Sequence, residues 1–113
     1  MRKKAETIRL KIEEAAGQGK FYVQYAVSSI LQSNREPLKI TYRNSSGALI
    51  TQRQYSPWTY ELKAGEGALL YVSAQRQSDE PGDVYVVLMV NGRVVREGRS
   101  DGLYAVATAS GRL

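Results

Sequence analysis

Apolar residues recur along most of this chain at every second position, in short runs broken by glycine, proline and small polar clusters. That spacing is the mark of half-buried β-strands, whose side chains alternate between two faces. One stretch departs from strict alternation. Val84 to Val90 is continuously apolar and rich in β-branched residues, and it runs into Asn91-Gly92 before Val94 and Val95 resume. The run is too short for a typical helix and reads as a buried central strand. Asn-Gly reaches positive φ at low steric cost and predicts a type I′ hairpin turn. A two-residue turn places Val90 opposite Arg93, Met89 opposite Val94 and Leu88 opposite Val95, a pairing that a bulge would shift.

Read in order, residues 5–16 are ambiguous. They consist mostly of good helix formers and end at Gly17, a natural residue to follow a helix, with Ala5, Ile8, Ile12 and Ala16 on one stripe. Ile8, Leu10 and Ile12 also alternate as a strand would. The helix is the favoured reading. Phe21, Val23, Tyr25 and Val27 then share one face of a strand over 21–28, and the polar segment from Ser29 to Pro37 reads as a loop with Ile30 and Leu31 tucked beneath it. Leu38, Ile40 and Tyr42 face inward on the next strand, Asn44–Gly47 turns the chain, and 48–55 returns as its hairpin partner until Ser56-Pro57-Trp58 interrupts. Short strands follow at 59–63, with Tyr60 and Leu62 inward, and at 68–75. Arg76 to Gly82 reads as an exposed loop and Ser100–Gly102 as a turn. The last strand is 103–109, with Tyr104, Val106 and Thr108 on one face. About seven or eight strands with regular turn signals predict an all-β sandwich of antiparallel strands. The division is a basic N-terminal segment, 1–19, and a sandwich domain, 20–113.

Composition narrows the chemistry. With 113 residues the chain makes one domain with a core of its own. It has no cysteine and no histidine, which removes the usual zinc ligands and the usual general base. The net charge is +5, but six basic residues against three acidic ones lie in 1–20, leaving the body mildly basic. That argues against a dedicated nucleic-acid surface. The longest apolar run falls far short of the ~20 residues that span a bilayer, and no secretory apolar region is present. The basic segment could lie on an anionic membrane, although its apolar content is low, or serve as a juxtamembrane spacer. Met1-Arg-Lys-Lys fits a natural start or one that follows a removed anchor.

Asp79, Glu80 and Asp83 offer oxygen ligands, yet the spacing of a calcium loop is missing and Pro81-Gly82 suggests a plain turn. Glu13-Glu14 and Glu61/Glu66 lack the marks of an acid/base pair, and Ser28-Ser29 and Ser45-Ser46 have no histidine to activate them. Gly65-Glu-Gly67 is not a phosphate loop. The expectation is therefore no catalytic residue, no metal and no cofactor. Aromatic and basic residues interleave around Tyr42-Arg43, Arg53-Tyr55 and Trp58. Such a pattern can stack bases while arginines hold phosphates. The plainer reading, favoured because Tyr42 lies in phase with Leu38 and Ile40, puts the aromatics in the core and the arginines in water. Trp58 reads first as a core plug or edge cover, and second as a partner anchor. The candidate partner-binding residues are Trp58, Arg43, Arg53 and Tyr55.

Six stretches in the same order resemble the extracytoplasmic domain of the mycobacterial small membrane protein (MmpS) family: Tyr25-Ala-Val27, Ile40-Thr-Tyr-Arg-Asn44, Ser56-Pro-Trp-Thr59, Tyr71-Val-Ser-Ala-Gln75, Val90-Asn-Gly-Arg-Val-Val-Arg-Glu97 and Tyr104-Ala-Val106. The resemblance covers about residues 21–111. The family often links two strands by a cysteine pair, where this chain has Val86 and Ala109, and it begins with a membrane-spanning helix that is absent here. Asp101-Gly-Leu-Tyr104 is more weakly similar to the tyrosine corner of immunoglobulin domains. The resemblance implies an immunoglobulin-like β-sandwich without enzymatic activity. It implies an accessory role at the bacterial cell envelope, working through protein contacts with a membrane transporter. Alternative roles are single-stranded nucleic-acid binding or a small apolar ligand held between the sheets. A cytoplasmic location stays open, because no signal or membrane span is seen.

Overall fold

A computed structural model describes residues 2–30, 37–79 and 81–113, with the side chains of 2–5 and of residue 30 left aside. Helix α1 (Arg2–Gly17) precedes eight strands: β1 (Phe21–Ile30), β2 (Pro37–Arg43), β3 (Leu49–Tyr55), β4 (Trp58–Ala64), β5 (Leu69–Arg76), β6 (Asp83–Val90), β7 (Arg93–Asp101) and β8 (Val106–Arg112). They form two four-stranded sheets with orders β4-β1-β6-β7 and β3-β2-β5-β8, every pair antiparallel. The all-β sandwich expected from the alternation is the fold.

The core lies between the sheets. Val23, Tyr25 and Val27 of β1 and Val84, Val86 and Leu88 of β6 face Leu38 and Ile40 of β2 and Val72 and Ala74 of β5, all at 2% exposure or less. Val86 and Ala109 both belong to this core. The predicted hairpin forms at Asn91 (φ 50°) and Gly92 (φ 78°). Val90 pairs with Arg93 and Met89 with Val94, but Leu88 pairs with Arg96, because an irregularity between Leu88 and Met89 leaves Val95 as an extra residue. The turn is pinned to β1: Tyr22 N donates to Asn91 Oδ1 at 3.0 Å, and Asn91 N donates to Tyr22 O at 2.7 Å.

Residues 2–17 take the helical alternative, with two changes of detail. The left-handed residue after the helix is Gly19 (φ 70°), not Gly17. Gly19 N donates to Ala16 O and Lys20 N to Ala15 O, the paired bonds of a Schellman cap. Ala15 is buried and Ala16 exposed, so the packed stripe continues through Ile8, Ile12 and Ala15. Ile8 and Ile12 lie over the hairpin turn, each within 4 Å of the position a Cβ on Gly92 would take.

Three other expectations are corrected. β1 continues through Ser29 and Ile30, pairing with Val84 and Asp83, so the connection to β2 begins later than predicted. The tuck of Leu31 lies outside the described residues. Arg76 is not a loop residue: it ends β5 in phase with Leu70, Val72 and Ala74, is fully buried, and donates from Nη1 to Gly102 O at 2.6 Å. The final strand starts at Val106 rather than 103, so Tyr104 drops out of the predicted set while Val106 and Thr108 do share one face, the outward one. Ala107 and Ala109 are buried while Val106 and Thr108 point out, and Tyr104 sits in the preceding turn at φ 52°. Small residues are required inside because β8 runs beside β7. A Cβ on Gly98 would stand 2.3 Å from Thr108 O, so the two backbones touch and close that side of the sandwich.

Candidate binding surfaces

The outer face of the β4-β1-β6-β7 sheet is partly covered by α1. Tyr22 points outward from β1 yet is only 3% exposed beneath the helix. Its hydroxyl donates to Glu61 Oε2 at 2.5 Å, and Lys11 Nζ donates to Glu61 Oε1 and Oε2 at 2.9 and 2.8 Å. Lys63 Nζ donates to Glu14 Oε1 at 2.6 Å. A crevice of about 280 Å³ runs between these side chains. Burial, reinforced by the neighbouring Glu61 carboxylate, pushes the Tyr22 phenol well above its usual range. The hydrogen bonds from Lys11 and then Tyr22 hold Glu61 below the usual carboxylate range, and Lys63 does the same for Glu14. Tyr22 thus stays protonated and both glutamates ionised near neutrality, each carboxylate with a lysine against it. These groups clamp a helix to a sheet. Farther along the same face, Arg99 pairs with Asp83 at 2.5 Å, and Tyr85 donates to Glu97 at 2.6 Å.

Of the four candidate residues, Trp58 goes inward. Its ring stacks on Tyr60 (centroids 6.0 Å apart, planes 6° apart) and meets Tyr42 at 5.1 Å, while Tyr60 stacks on Tyr25. Tyr42 Oη accepts from Gln52 Nε2, whose amide oxygen accepts from Gln54. Tyr25 Oη donates to Arg43 O. Trp58 remains half-buried at the margin of this cluster.

Arg43, Arg53 and Tyr55 go outward together, onto the face of the β3-β2-β5-β8 sheet. Burial alternates without a break along all four strands, which fixes the outward set. Register places Lys39 between Arg53 and Gln75, and it aligns Thr51, Thr41, Ser73 and Thr108 in one row across all four strands. Thr41 and Thr51 share a hydrogen bond of 3.0 Å. Arg112 ends β8 on the same face, opposite Leu69. No outward position of these strands is acidic. Arg43 Nη1 donates to Gly47 O at 2.7 Å, and among the described residues Lys39, Arg53 and Arg112 make no ion pair. Sequence reasoning missed Lys39, Arg112 and the hydroxyl row, because their companionship depends on the order of strands distant in the chain. Arg76 was findable, since it continues the buried phase of β5. So was Gly98, because a lone glycine in a strand signals close backbone approach.

The remaining sequence candidates are dispersed. Asp83 turns to Arg99, Asp79 is exposed and Glu80 lies outside the described residues; among the described residues no three potential metal ligands cluster. An apolar crevice at the sandwich end, with Leu70, Leu88, Val90 and Leu113 in its wall, measures about 150 Å³. Ligand pockets commonly measure ~300–1,000 Å³, so it suits little beyond a very small molecule. Among the described residues no helix is long and apolar enough to cross a membrane. No known protein-family model matches this chain, and no curated protein does either.

Proposed function

We propose that this domain is a non-enzymatic binding module, an accessory part of a cell-envelope assembly that docks a protein partner by adding a strand to β3. The observation that carries the reading is the state of the four sheet edges. An uncovered edge offers unpaired backbone donors and acceptors, and proteins blunt such edges with charges, bulges or covering segments. β7 has an irregular register and five charged residues, β8 leans on β7 through Thr108, and β4 carries the lysine and glutamate that clamp α1. β3 has seven residues, a regular register and a single charge, Arg53. Arg43, Arg53 and Tyr55 would flank the docked strand, and the half-buried Trp58 beyond Pro57 would anchor its end. The likeness to the MmpS extracytoplasmic domain supports the envelope setting and a membrane transporter as the partner.

Two measurements test this. Fractionation of cells expressing the natural gene from its own start codon, with protease added to intact cells, is expected to place the domain outside the cytoplasmic membrane; a cytosolic product removes the envelope assignment. Amide exchange on the complex recovered by cross-linking is expected to slow across residues 49–55. A formed complex in which those amides exchange as in the free domain rules out strand addition.

A further inference from the structure

The outer face of the β3-β2-β5-β8 sheet is one-signed. Lys39, Arg43, Arg53 and Arg112 project from it and, among the described residues, no acidic side chain does, although the chain holds eleven acidic residues. Glu66 sits off the face, in the β4–β5 turn, and Glu36 lies outside the described residues. The four cations are spread rather than clustered. Arg53 and Lys39 are directly opposed on neighbouring strands, roughly 5 Å apart at Cα. Arg43 follows Lys39 by four residues, about 13 Å along β2. Arg112 lies two strands farther across, a further ~10 Å. An extended polymer with an anion on each repeat could meet all of them. A compact anion could not.

Between the cations lies the row Thr51, Thr41, Ser73 and Thr108, with Tyr71 and Ser110 in the next row. A hydroxyl both donates and accepts, so such a row complements a ligand that is itself covered with hydroxyls. It does not suit nucleobases, which need aromatic platforms across the middle of the sheet. Here the half-buried Tyr71 is the aromatic residue among the central outward positions, and Tyr55 stands at a corner.

We propose that this face binds an anionic polysaccharide, with Lys39, Arg43, Arg53 and Arg112 meeting its carboxylates or phosphates and the hydroxyl row meeting its sugar hydroxyls. The assignment shares Arg43 and Arg53 with strand addition at the β3 edge, but it rests on the side chains of the face and not on the backbone groups of the edge. Either can fail while the other stands.

The test is affinity electrophoresis and fluorescence titration of the whole chain with polygalacturonate, neutral dextran and oligo(dT). Polygalacturonate is expected to bind, and to weaken as salt rises in the manner of a few released counterions. Dextran should not retard the protein, and oligo(dT) should bind at least about tenfold more weakly. Lys39→Ala with Arg53→Ala should lower polygalacturonate affinity about tenfold or more. Thr41→Val with Thr108→Val should lower it severalfold while leaving the weak oligo(dT) binding unchanged. Arg93→Ala, which removes a cation in the β6–β7 hairpin, should change neither. Melting curves of each variant establish that it is folded. No polygalacturonate binding at about 20 mM salt overturns the proposal. So does oligo(dT) binding as tightly, which would make the face a nucleic-acid surface. An Arg93→Ala loss equal to that of the face variants, or intact binding by the threonine variants, reduces the effect to net charge and equally overturns it.

Discussion

The two sheets expose faces of opposite character. On the β4-β1-β6-β7 side, charges come in pairs: Lys11 with Glu61, Lys63 with Glu14, Arg99 with Asp83. A helix lies across part of that face and the aromatic Tyr22 is hidden under it. On the β3-β2-β5-β8 side, among the described residues, no helix lies over the strands, the cations have no acidic side chain among them, and Tyr71 stays half exposed. Surface ion pairs contribute little, about 0.2–1 kcal/mol each, so the clamped face owes its cover chiefly to the apolar surface buried by Ile8, Ile12, Ala15 and Tyr22. The lesson is a division of labour. One face is finished internally by the protein's own chain. The other keeps its hydrogen-bonding and charged groups available to something outside.

That contrast can be broken in three ways, in order of expected size. Both faces depend on the contact that holds β7 to β8. Gly98→Ala would drive a Cβ into the Thr108 backbone and should destabilise the domain by about 3 kcal/mol or more, read as a lowered denaturation midpoint. A loss under about 1 kcal/mol would mean that the seam yields easily. Next come the matched outward tyrosines. Tyr22→Ala removes a buried ring and its bond to Glu61 and should cost about 2–4 kcal/mol, whereas Tyr71→Ala should cost about 1 kcal/mol. Equal losses would erase the distinction between the faces. The smallest effect is acid. Glu61 and Glu14 have lowered pKa values in the folded state, so the folded chain binds fewer protons than the unfolded one near their usual range. Their contribution is complete above that range and is lost as pH falls through their folded values. Helical circular dichroism should therefore fade only below the usual carboxylate range, and before the β signal does. Simultaneous loss of both would show that the helix is not separately clamped.

Much of this architecture is legible in the residues. The strict alternation of Leu38, Ile40 and Tyr42, the continuous apolar run of β6 and the Asn-Gly turn each specify local structure, and the turn's φ values bear this out. The last strand shows where such reading stops. In Leu103-Tyr-Ala-Val-Ala-Thr-Ala109 two interleaved sets compete, and the bulkier Tyr104, Val106 and Thr108 carry more apolar surface. The fold selects the alanines, since Ala107 and Ala109 oppose Ala74 and Val72 in a core already filled by larger side chains. That choice is set by volume and by β7, which lies outside the segment. The candidate surface was half legible for a similar reason. Interleaved arginine and tyrosine drew attention to Arg43, Arg53 and Tyr55, but joining them to Lys39, Ser73, Thr108 and Arg112 needs four strands side by side. Trp58, grouped with them in sequence, parts from them because Pro57 turns the chain from one sheet to the other and the next strand enters with its aromatic face inward.

The contact of Gly98 with Thr108 makes the sandwich resemble a bound book, with a backbone spine along β7 and β8 and the opposite side, β3 and β4, held by side chains, the stacked Trp58, Tyr60 and Tyr42. Thermal breathing of such a body is lopsided. Solvent is expected to enter first where no backbone seam opposes it, so amide exchange should be fastest in β3 and β4. The strand proposed to accept a partner would then also be the one whose own hydrogen bonds loosen soonest.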